Sequence, residues 1–429
     1  MILSTKNLKT LAPQHNPKIA IITQKLRLGK QVSERIFLSA PHMGGNELKY
    51  IQEAFDANYI APIGEQITKF EEAICRYTGA KHAVALSSGT AAIHLALRTL
   101  GVKDGDEVFT SSFTFIGGVA PIMYERCTPF FIDSDEDSWN LDPLLLIEAL
   151  ESRKKSGKIP KALIVAHLYG QAAKIEEISA ICDKYGVALI EDAAESLGAT
   201  IDISPSAKQA ASQSRELPTP EPSAGGKHTG TFGKAGIYSF NGNKIITSSG
   251  GGMLVTDDER IAKEARFLST QAKEPYLHYE HETFGYNYRM SNIVAAIGRG
   301  QMEVLGQRVE RRREIFAMYK EFFADIPEIK FMPELAGTRG NRWLSAFYMD
   351  KKLKTTPDEL IKALEAQNIE SRPLWKPMHT QPVFKDASHL TNGFSEMLFE
   401  RGLCLPSGSS MDDEDVALTA KIVKDVIKK

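Results

Sequence analysis

The chain has 429 residues, of which 42% are hydrophobic, and a formal net charge of -2 at pH 7. A chain of this length buries a large core and divides into about two domains. Its charges form no long runs of one sign, which argues against binding to nucleic acid or to an anionic membrane, so we expect small-molecule partners.

The N-terminal segment, residues 1–35, scatters basic residues around one short apolar run. Because it lacks a longer apolar core followed by a cleavage site, we interpret it as an accessory extension and not as a secretory signal. The longest apolar runs, such as 162–166 and 187–190, are far shorter than the roughly 20 residues of a bilayer span, which predicts no membrane segment. The four cysteines include no C-x-x-C pair, so we expect free thiols in a cytoplasmic protein and no metal site.

Short β-rich runs alternate with helical segments from about residue 83 onwards. This alternation predicts an α/β fold in which helices cover a mostly parallel sheet. In such sheets the functional residues lie just after the carboxyl ends of the strands. We predict helices at 90–100 and 175–185, helix C-caps at Gly101 and Gly186, and strands at 83–86, 107–110, 129–132, 161–166 and 187–190.

Two further segments suggest the domain organisation. Residues 201–227 are rich in Ser, Pro, Gln and Ala and have few large apolar side chains, which predicts a flexible surface insertion. Residues 303–323 form a charged helical pattern that we expect to link the two domains. The prediction is therefore an extension at 1–35, a large domain at 36–305 and a small C-terminal α+β domain at 306–429.

The first candidate site follows the strand at 83–86, where Ser87, Ser88, Gly89 and Thr90 precede a helix. Free backbone N–H groups and hydroxyls at a helix N-terminus suit a phosphate. The same residue types also serve as plain helix N-caps, so the pattern alone leaves both readings open. No G-x-x-x-x-G-K-[ST] sequence occurs, which disfavours a P-loop nucleotide hydrolase.

Acidic residues and a lysine supply the second candidate site. Asp192 and Glu195 follow the strand at 187–190, where a buried carboxylate would need a cationic partner such as a protonated pyridine nitrogen. An isolated Asp after a strand is more often a helix cap. Lys244 lies between a strand-like run and a Gly-rich loop, beside two isoleucines that could desolvate its amine and suit it to a Schiff base. Ser239, five positions earlier, could add a hydroxyl to the phosphate cradle.

Five motifs in order, SSGTAAIHLAL, TSSFTFIG, LIEDAAESLGA, GTFGKAGIYSFNGNKIITSSGGGML and GYNYRMSN, resemble the DegT-type sugar aminotransferases. The likeness runs from about Phe37 to the C-terminus and is interrupted at 201–227. It implies the fold-type I architecture of aspartate aminotransferase and pyridoxal 5'-phosphate (PLP) as the cofactor. Within the family, the segments NYIAPIGE, FNGNKIITSSGGGM and SRPLWKPMH are most similar in sequence to the aminotransferases of UDP-bacillosamine synthesis.

The resemblance also implies residue roles. Lys244 would bond to the cofactor and move the proton, while Asp192 would pair with the pyridine nitrogen. Asn287 matches an asparagine that the family contributes to the phosphate across a dimer interface, which implies a homodimer with shared active sites. Glu195 departs from many family members, which carry His or Gln at this position over the ring. The matched phosphate-binding positions are Gly89, Thr90 and Ser239, and the aromatic position that packs on the cofactor ring is Phe115.

Two segments match the places where the family holds the sugar nucleotide. Arginine suits a diphosphate and tryptophan suits stacking on a ring. The matched residues are Asn58, Tyr59, Ile60 and Ala61 in the first segment, and Arg372, Pro373, Leu374 and Trp375, with His379 nearby, in the second.

These motifs together predict an enzyme that transfers the amino group of L-glutamate to the C4 ketone of a UDP-linked 4-keto sugar. A GDP- or dTDP-linked keto sugar, or amination at C3, is the alternative within the same chemistry. A non-catalytic regulator or sugar-nucleotide-binding protein on the same fold is the alternative from another class. Lys244 disfavours the family's dehydratases, which carry histidine there, and no cysteine lies in a loop suited to a desulfurase.

Overall fold

The computed structural model describes residues 34–203 and 226–428. Most of the predicted extension 1–35 therefore lies outside the described residues. Its last residue, Arg35, pairs with Glu365 at 2.7 Å, and the next residue, Ile36, forms a β-bridge with Ile369. The chain thus enters the described structure against its C-terminal part.

The described strands are β1 to β15 in chain order. They span His82–Leu86, Glu107–Ser111, Thr128–Ile132, Ala162–Ala166, Ala188–Asp192, Thr200–Ile201, Lys227–His228, Ala235–Ser239, Gly252–Thr256, Ile329–Phe331, Thr338–Arg339, Ser345–Met349, Arg372–Pro373, Ser388–Leu390 and Gly402–Leu405. All five predicted strands are present. The fifth ends at Asp192, two residues later than predicted, which makes this carboxylate the last residue of its strand.

Eight strands form one large sheet in the order β1-β9-β8-β5-β4-β2-β3-β14. The neighbours from β8 to β14 pair in parallel, whereas β9 pairs antiparallel with both β1 and β8. The sheet is therefore mixed and mostly parallel, and the predicted fold class is confirmed. Every residue of β4 is buried, which explains why this strand is a continuous apolar run in the sequence.

The α-helices span Glu47–Asp56, Glu65–Thr78, Gly89–Thr99, Ala120–Tyr124, Pro143–Lys155, Ile175–Tyr185, Glu259–Ser269, Asn292–Met302, Leu305–Phe322, Pro357–Glu365, Phe394–Arg401 and Asp413–Ile427. The predicted helix at 175–185 has the predicted bounds and ends at Gly186 in the left-handed conformation, with φ 69°. A side chain is strained at this φ, so glycine is the natural residue there. Within residues 34–203 and 226–428, no helix has the length and apolar character of a bilayer span.

The C-terminal part builds a second sheet of four strands, β10-β12-β15-β13, in which all pairs are antiparallel. The long helix Leu305–Phe322 and the helices Pro357–Glu365 and Asp413–Ile427 share a buried apolar cluster with this sheet. One C-terminal strand, β14, instead joins the edge of the large sheet in parallel with β3. The division at residue 305 stays a prediction.

The predicted insertion 201–227 begins and ends in β-structure. Ile201 pairs with Lys227, and Thr338–Arg339 completes a three-stranded sheet with β6 and β7. The remainder of the insertion, 204–225, lies outside the described residues.

Candidate active site

A cavity of about 590 Å³ opens beside the carboxyl ends of β4 and β5. It brings together residues from the first and the second candidate site, and it is lined by residues of the large sheet and of the four-stranded sheet. The predicted site residues that line it are Gly89, Thr90, Phe115, Asp192, Glu195, Ser239, Lys244, Arg372, Pro373 and Trp375. The structure therefore brings these residues to one cavity, although they lie far apart in the sequence.

An anion cradle lies at the N-terminus of the helix Gly89–Thr99. The Ser88 side chain accepts a hydrogen bond from the backbone N–H of Ala91 at 3.0 Å, as a helix N-cap does. A Cβ added to Gly89 would lie 3.3 Å from Ser239 Cβ, so the end of β8 directly faces the start of the helix. The cap and the anion site are thus compatible, and the first turn together with Ser239 can hold a phosphate.

Asp192 is a buried carboxylate that forms no ion pair with any described residue. Burial raises its pKa, against the opposing effects of Lys244, the backbone N–H of Ala194 and His167. A buried carboxylate without an ion-pair partner is costly, and a protonated pyridine nitrogen would supply the missing positive charge. This observation fits the chain to PLP.

Lys244 lies in a turn after β8 and points its amine into the cavity. Its Nζ lies 3.3 Å from Glu195 Oε1, and the backbone N–H of Tyr169 donates to Glu195 Oε2 at 2.8 Å. Burial raises the pKa of Glu195 to about 7, although Lys244 and the Tyr169 N–H oppose the shift. Both groups are largely buried, so a proton shared between them is shielded from bulk water.

Trp343 is a wall of the cavity that the sequence did not predict. Lys244 Nζ lies 4.2 Å from the centre of its ring, which is cation–π distance. The indole N–H donates to the backbone oxygen of Asn243 at 2.7 Å. Since Trp343 lies 99 residues beyond Lys244 and outside the quoted motifs, no local signal in one sequence marks it.

The part of the cavity that Phe115, Arg372 and Trp375 line is aromatic and charged. The rings of Phe115 and Trp375 are 5.5 Å apart, and the Trp375 backbone N–H donates to the Tyr169 hydroxyl at 3.0 Å. Arg372 is well exposed and pairs with Glu370 at 2.6 Å. This part of the cavity therefore offers a guanidinium that can change its ion-pair partner, beside two aromatic rings.

The other predicted site residues do not line the cavity in this single chain. Leu374 is buried in an apolar cluster. His379 contacts Ser112 Oγ at 2.5 Å and Glu396 Oε1 at 3.1 Å. Asn287 is exposed and forms a β-bridge with Thr270. The segment Asn58, Tyr59, Ile60 and Ala61 is exposed and is bonded to Asn292 through its backbone oxygens. Their functional roles stay predictions.

The fold, the anion cradle, the buried carboxylate and the lysine together are the arrangement of a PLP-dependent enzyme. Residues 41–424 match the model of the DegT/DnrJ/EryC1/StrS aminotransferase family. The chain belongs to this family and is a PLP-dependent sugar aminotransferase.

Individual relatives agree with the family assignment. EpsN of Bacillus subtilis (strain 168), assigned by its name to the pyridoxal phosphate-dependent aminotransferases, is 50% identical over 386 residues, which cover 89% of this chain and 93% of that protein. GDP-perosamine synthase of Caulobacter vibrioides is 34% identical over 383 residues, covering 89% of this chain and 95% of that protein. A crystal structure of a DegT DnrJ EryC1 StrS aminotransferase from Brucella abortus has a TM-score of 0.78 at 27% identity, covering 90% of this chain and 96% of that one.

Proposed function

We propose that this enzyme transfers the amino group of L-glutamate to the C4 ketone of a UDP-linked 2-acetamido-2,6-dideoxy-4-keto-hexose. The products are 2-oxoglutarate and the UDP-4-amino sugar. The observation that carries the proposal is that Lys244 lies beside the buried carboxylate of Glu195 in the same cavity that Asp192, Arg372 and Trp375 line.

Lys244 acts as the nucleophile and the proton carrier. When bound, PLP supplies the electron sink that makes the Cα–H bond of glutamate acidic. The Lys244 amine takes the proton from the donor Cα, and it returns a proton to sugar C4 in the second half-reaction. Glu195 Oε1 lies 3.3 Å from the same nitrogen, so its buried carboxylate can accept a proton from the amine.

Other residues hold the cofactor in place. Asp192 would keep the pyridine nitrogen protonated, and Phe115 would pack on the ring. Gly89, Thr90 and Ser239 would bind the phosphate at the start of the helix Gly89–Thr99. We assign Asn287 to the phosphate of a second copy because it matches the asparagine that the family contributes across its dimer interface. Its exposure in the single chain and its position outside this chain's own cavity are consistent with that role. The proposed working form is therefore a homodimer, in the cytoplasm.

In this proposal, the part of the cavity that Arg372 and Trp375 line receives the sugar nucleotide. Arg372 can exchange its contact with Glu370 for a diphosphate oxygen, and Trp375 offers a stacking surface. We propose the other residues that match the family's sugar-nucleotide positions as further substrate contacts. They are Asn58, Tyr59, Ile60, Ala61, Pro373, Leu374 and His379. The similarity of the loop sequences to those of the UDP-bacillosamine aminotransferases supports the UDP assignment.

The alternative acceptor is a GDP- or dTDP-linked keto sugar, with amination at C3 or C4. The 34% identity to a GDP-perosamine synthase favours keeping the GDP-linked class in the test. The holoenzyme is incubated with ¹⁵N-labelled L-glutamate and, in parallel, with UDP-, GDP- and dTDP-linked keto sugars.

Nuclear magnetic resonance then locates the label in the product. The proposal expects ¹⁵N at C4 of the UDP sugar, with kcat/KM well above that of the other nucleotides. Label on a GDP or dTDP sugar, or at C3, would replace the proposed acceptor but keep the chemistry. The absorption spectrum checks the earlier step, because a visible cofactor band that L-glutamate bleaches should be absent in Lys244→Ala.

A further inference from the structure

Arg312 is a fully buried arginine that forms no ion pair with any residue in the described ranges. It lies in the helix Leu305–Phe322 with 1% of its surface exposed, and its Nε has no hydrogen-bond partner. Burial and the neighbouring Arg308 lower its pKa to about 9. Arg342, which is also buried, contacts Glu334 at 3.4 Å. An uncompensated buried cation is costly, so its place next to the active site calls for a role.

The two terminal nitrogens of Arg312 reach two residues that line the active-site cavity. One nitrogen donates to the backbone oxygen of Trp343, and the other donates to Ser39 Oγ at 2.9 Å. Because an arginine can only donate, the Ser39 hydroxyl must turn its own hydrogen elsewhere. That hydrogen goes to the backbone oxygen of Asn243 at 2.7 Å.

These contacts converge on the residue before Lys244. The Asn243 oxygen accepts from Ser39 Oγ and from the Trp343 indole N–H, each at 2.7 Å. The same indole ring lies 4.2 Å from the Lys244 amine. Arg312 therefore reaches the lysine by two routes, one through its backbone and one through the ring under its side chain.

We propose that Arg312 is a positioning residue for Lys244, acting through Ser39 and Trp343. The inference rests on the proposed role of Lys244 as the reactive amine. Arg312 fixes the peptide before the lysine and the ring on which the amine lies. It does not touch the cavity itself, so it shapes the reaction only through these partners.

A structural role and a positioning role predict different results for Arg312→Met. Arg312→Met removes the cost of burying a charge but leaves the Trp343 carbonyl without this donor, and because the two effects oppose each other we expect little change in melting temperature. Misplacing a reacting amine lowers kcat, here by roughly 10- to 100-fold, with little change in KM. Arg312→Lys keeps the charge but not the fork and should recover part of the rate.

The decisive measurement is the reactivity of Lys244 toward acetic anhydride in protein stripped of PLP, followed by mass spectrometry across pH. Circular dichroism first verifies that each stripped variant is folded. In Arg312→Met the amine is no longer held on the Trp343 ring, so its labelling rate should rise about two- to fivefold, while other lysines are unchanged. Arg311→Met, one position away and facing Asp413, is the matched control and should behave as the wild type.

Two results would overturn the inference: Lys244 labelling and kcat within twofold of wild type in Arg312→Met, or a general rise in the labelling of all lysines together with a lower melting temperature. If Arg312→Met does not fold, Ser39→Ala removes the hydroxyl that joins Arg312 to Asn243, and Arg312→Lys removes the guanidinium fork. Lys244 labelling within twofold of wild type in both variants would also overturn the inference. Failure of the proposed function is distinguishable, because it would show as a missing lysine-dependent cofactor band in the wild-type holoenzyme.

Discussion

The Lys244 amine lies 3.3 Å from Glu195 Oε1 inside a largely buried cavity, so the lysine meets a carboxylate before any substrate arrives. Glu195 is fixed from two sides, by the backbone N–H of Tyr169 on its carboxylate and by the side-chain amide of Asn341 on its backbone oxygen. Since Asp192 lines the same cavity, this chain places two buried carboxylates around one amine. A neutral His or Gln at position 195 would leave the amine with less compensating charge.

Glu195 should make the stability of the PLP-free protein depend on pH. Burial raises its pKa from 4.5 to about 7 in the folded chain, so between these values the folded protein binds more protons than the unfolded one. The stabilising contribution is therefore complete below about pH 4.5 and is lost as the pH rises through about 7. Its size is at most about 3 kcal/mol.

Urea unfolding of the PLP-free protein at several pH values measures this dependence. In Glu195→Gln the fall in unfolding free energy between pH 4.5 and 7 should be smaller than in the wild type. The exposed Glu72→Gln is the control and should follow the wild-type curve. Parallel curves for Glu195→Gln and the wild type would show that Glu195 titrates normally in the folded chain.

Gly118 should be needed for the position of the Asp192 carboxylate. A Cβ at Gly118 would lie 2.6 Å from Asp192 Oδ2, so Gly118→Ala must displace this side chain. A displaced carboxylate loses a charge-assisted contact with the pyridine nitrogen, and we expect roughly tenfold weaker PLP binding or more. Fluorescence titration with PLP measures the dissociation constant.

The control for this substitution is Gly242→Ala, because a Cβ at Gly242 meets no heavy atom within 4 Å. Its PLP affinity should equal that of the wild type. Equal affinity in Gly118→Ala as well would mean that Asp192 does not set cofactor binding.

Local patterns predicted the parts of the site that lie at strand ends. Asp192 ends β5, and Gly89 and Thr90 follow β1. The alternation of strand and helix patterns was enough to predict that such positions lie at the functional edge of the sheet. The residues around the lysine backbone were not predicted. Ser39 contacts Asn243 across 204 residues of chain, and Trp343 contacts it from just before β12, so the meeting of these residues depends on tertiary packing.

The pKa of Glu195 could not be predicted from the sequence pattern either. The sequence shows its position after Asp192, but its pKa depends on burial, which raises it, and on Lys244 and the Tyr169 backbone N–H, which oppose the shift. Burial of this kind follows from the packed structure and not from the three-residue spacing.

Arg372 should act on the sugar nucleotide and not on the amino donor. Its guanidinium is well exposed at the mouth of the cavity and can leave Glu370 for a diphosphate oxygen. Losing a charge-assisted hydrogen bond should raise KM for the nucleotide sugar by roughly tenfold or more in Arg372→Ala. Stopped-flow measurement of the glutamate half-reaction should give the wild-type rate.

Arg126→Ala provides the matched control, since this exposed arginine pairs with Asp104 at 2.8 Å and does not line the cavity. Its KM should not change. A slowed glutamate half-reaction in Arg372→Ala would instead assign this arginine to the carboxylate of the donor.

Asn287 should complete the active site of a second copy, and mixing two inactive variants tests this directly. Lys244→Ala lacks the amine and Asn287→Ala lacks the proposed phosphate contact, so each homodimer should have little activity. In a mixed dimer, one site combines the intact Lys244 of one copy with the intact Asn287 of the other. Random exchange of equal amounts should therefore restore about a quarter of the wild-type activity.

No recovery, with exchange verified by native mass spectrometry of differently tagged copies, would place Asn287 outside a shared site. If Asn287→Ala alone keeps full activity and PLP affinity, the contact with the phosphate is excluded without any mixing.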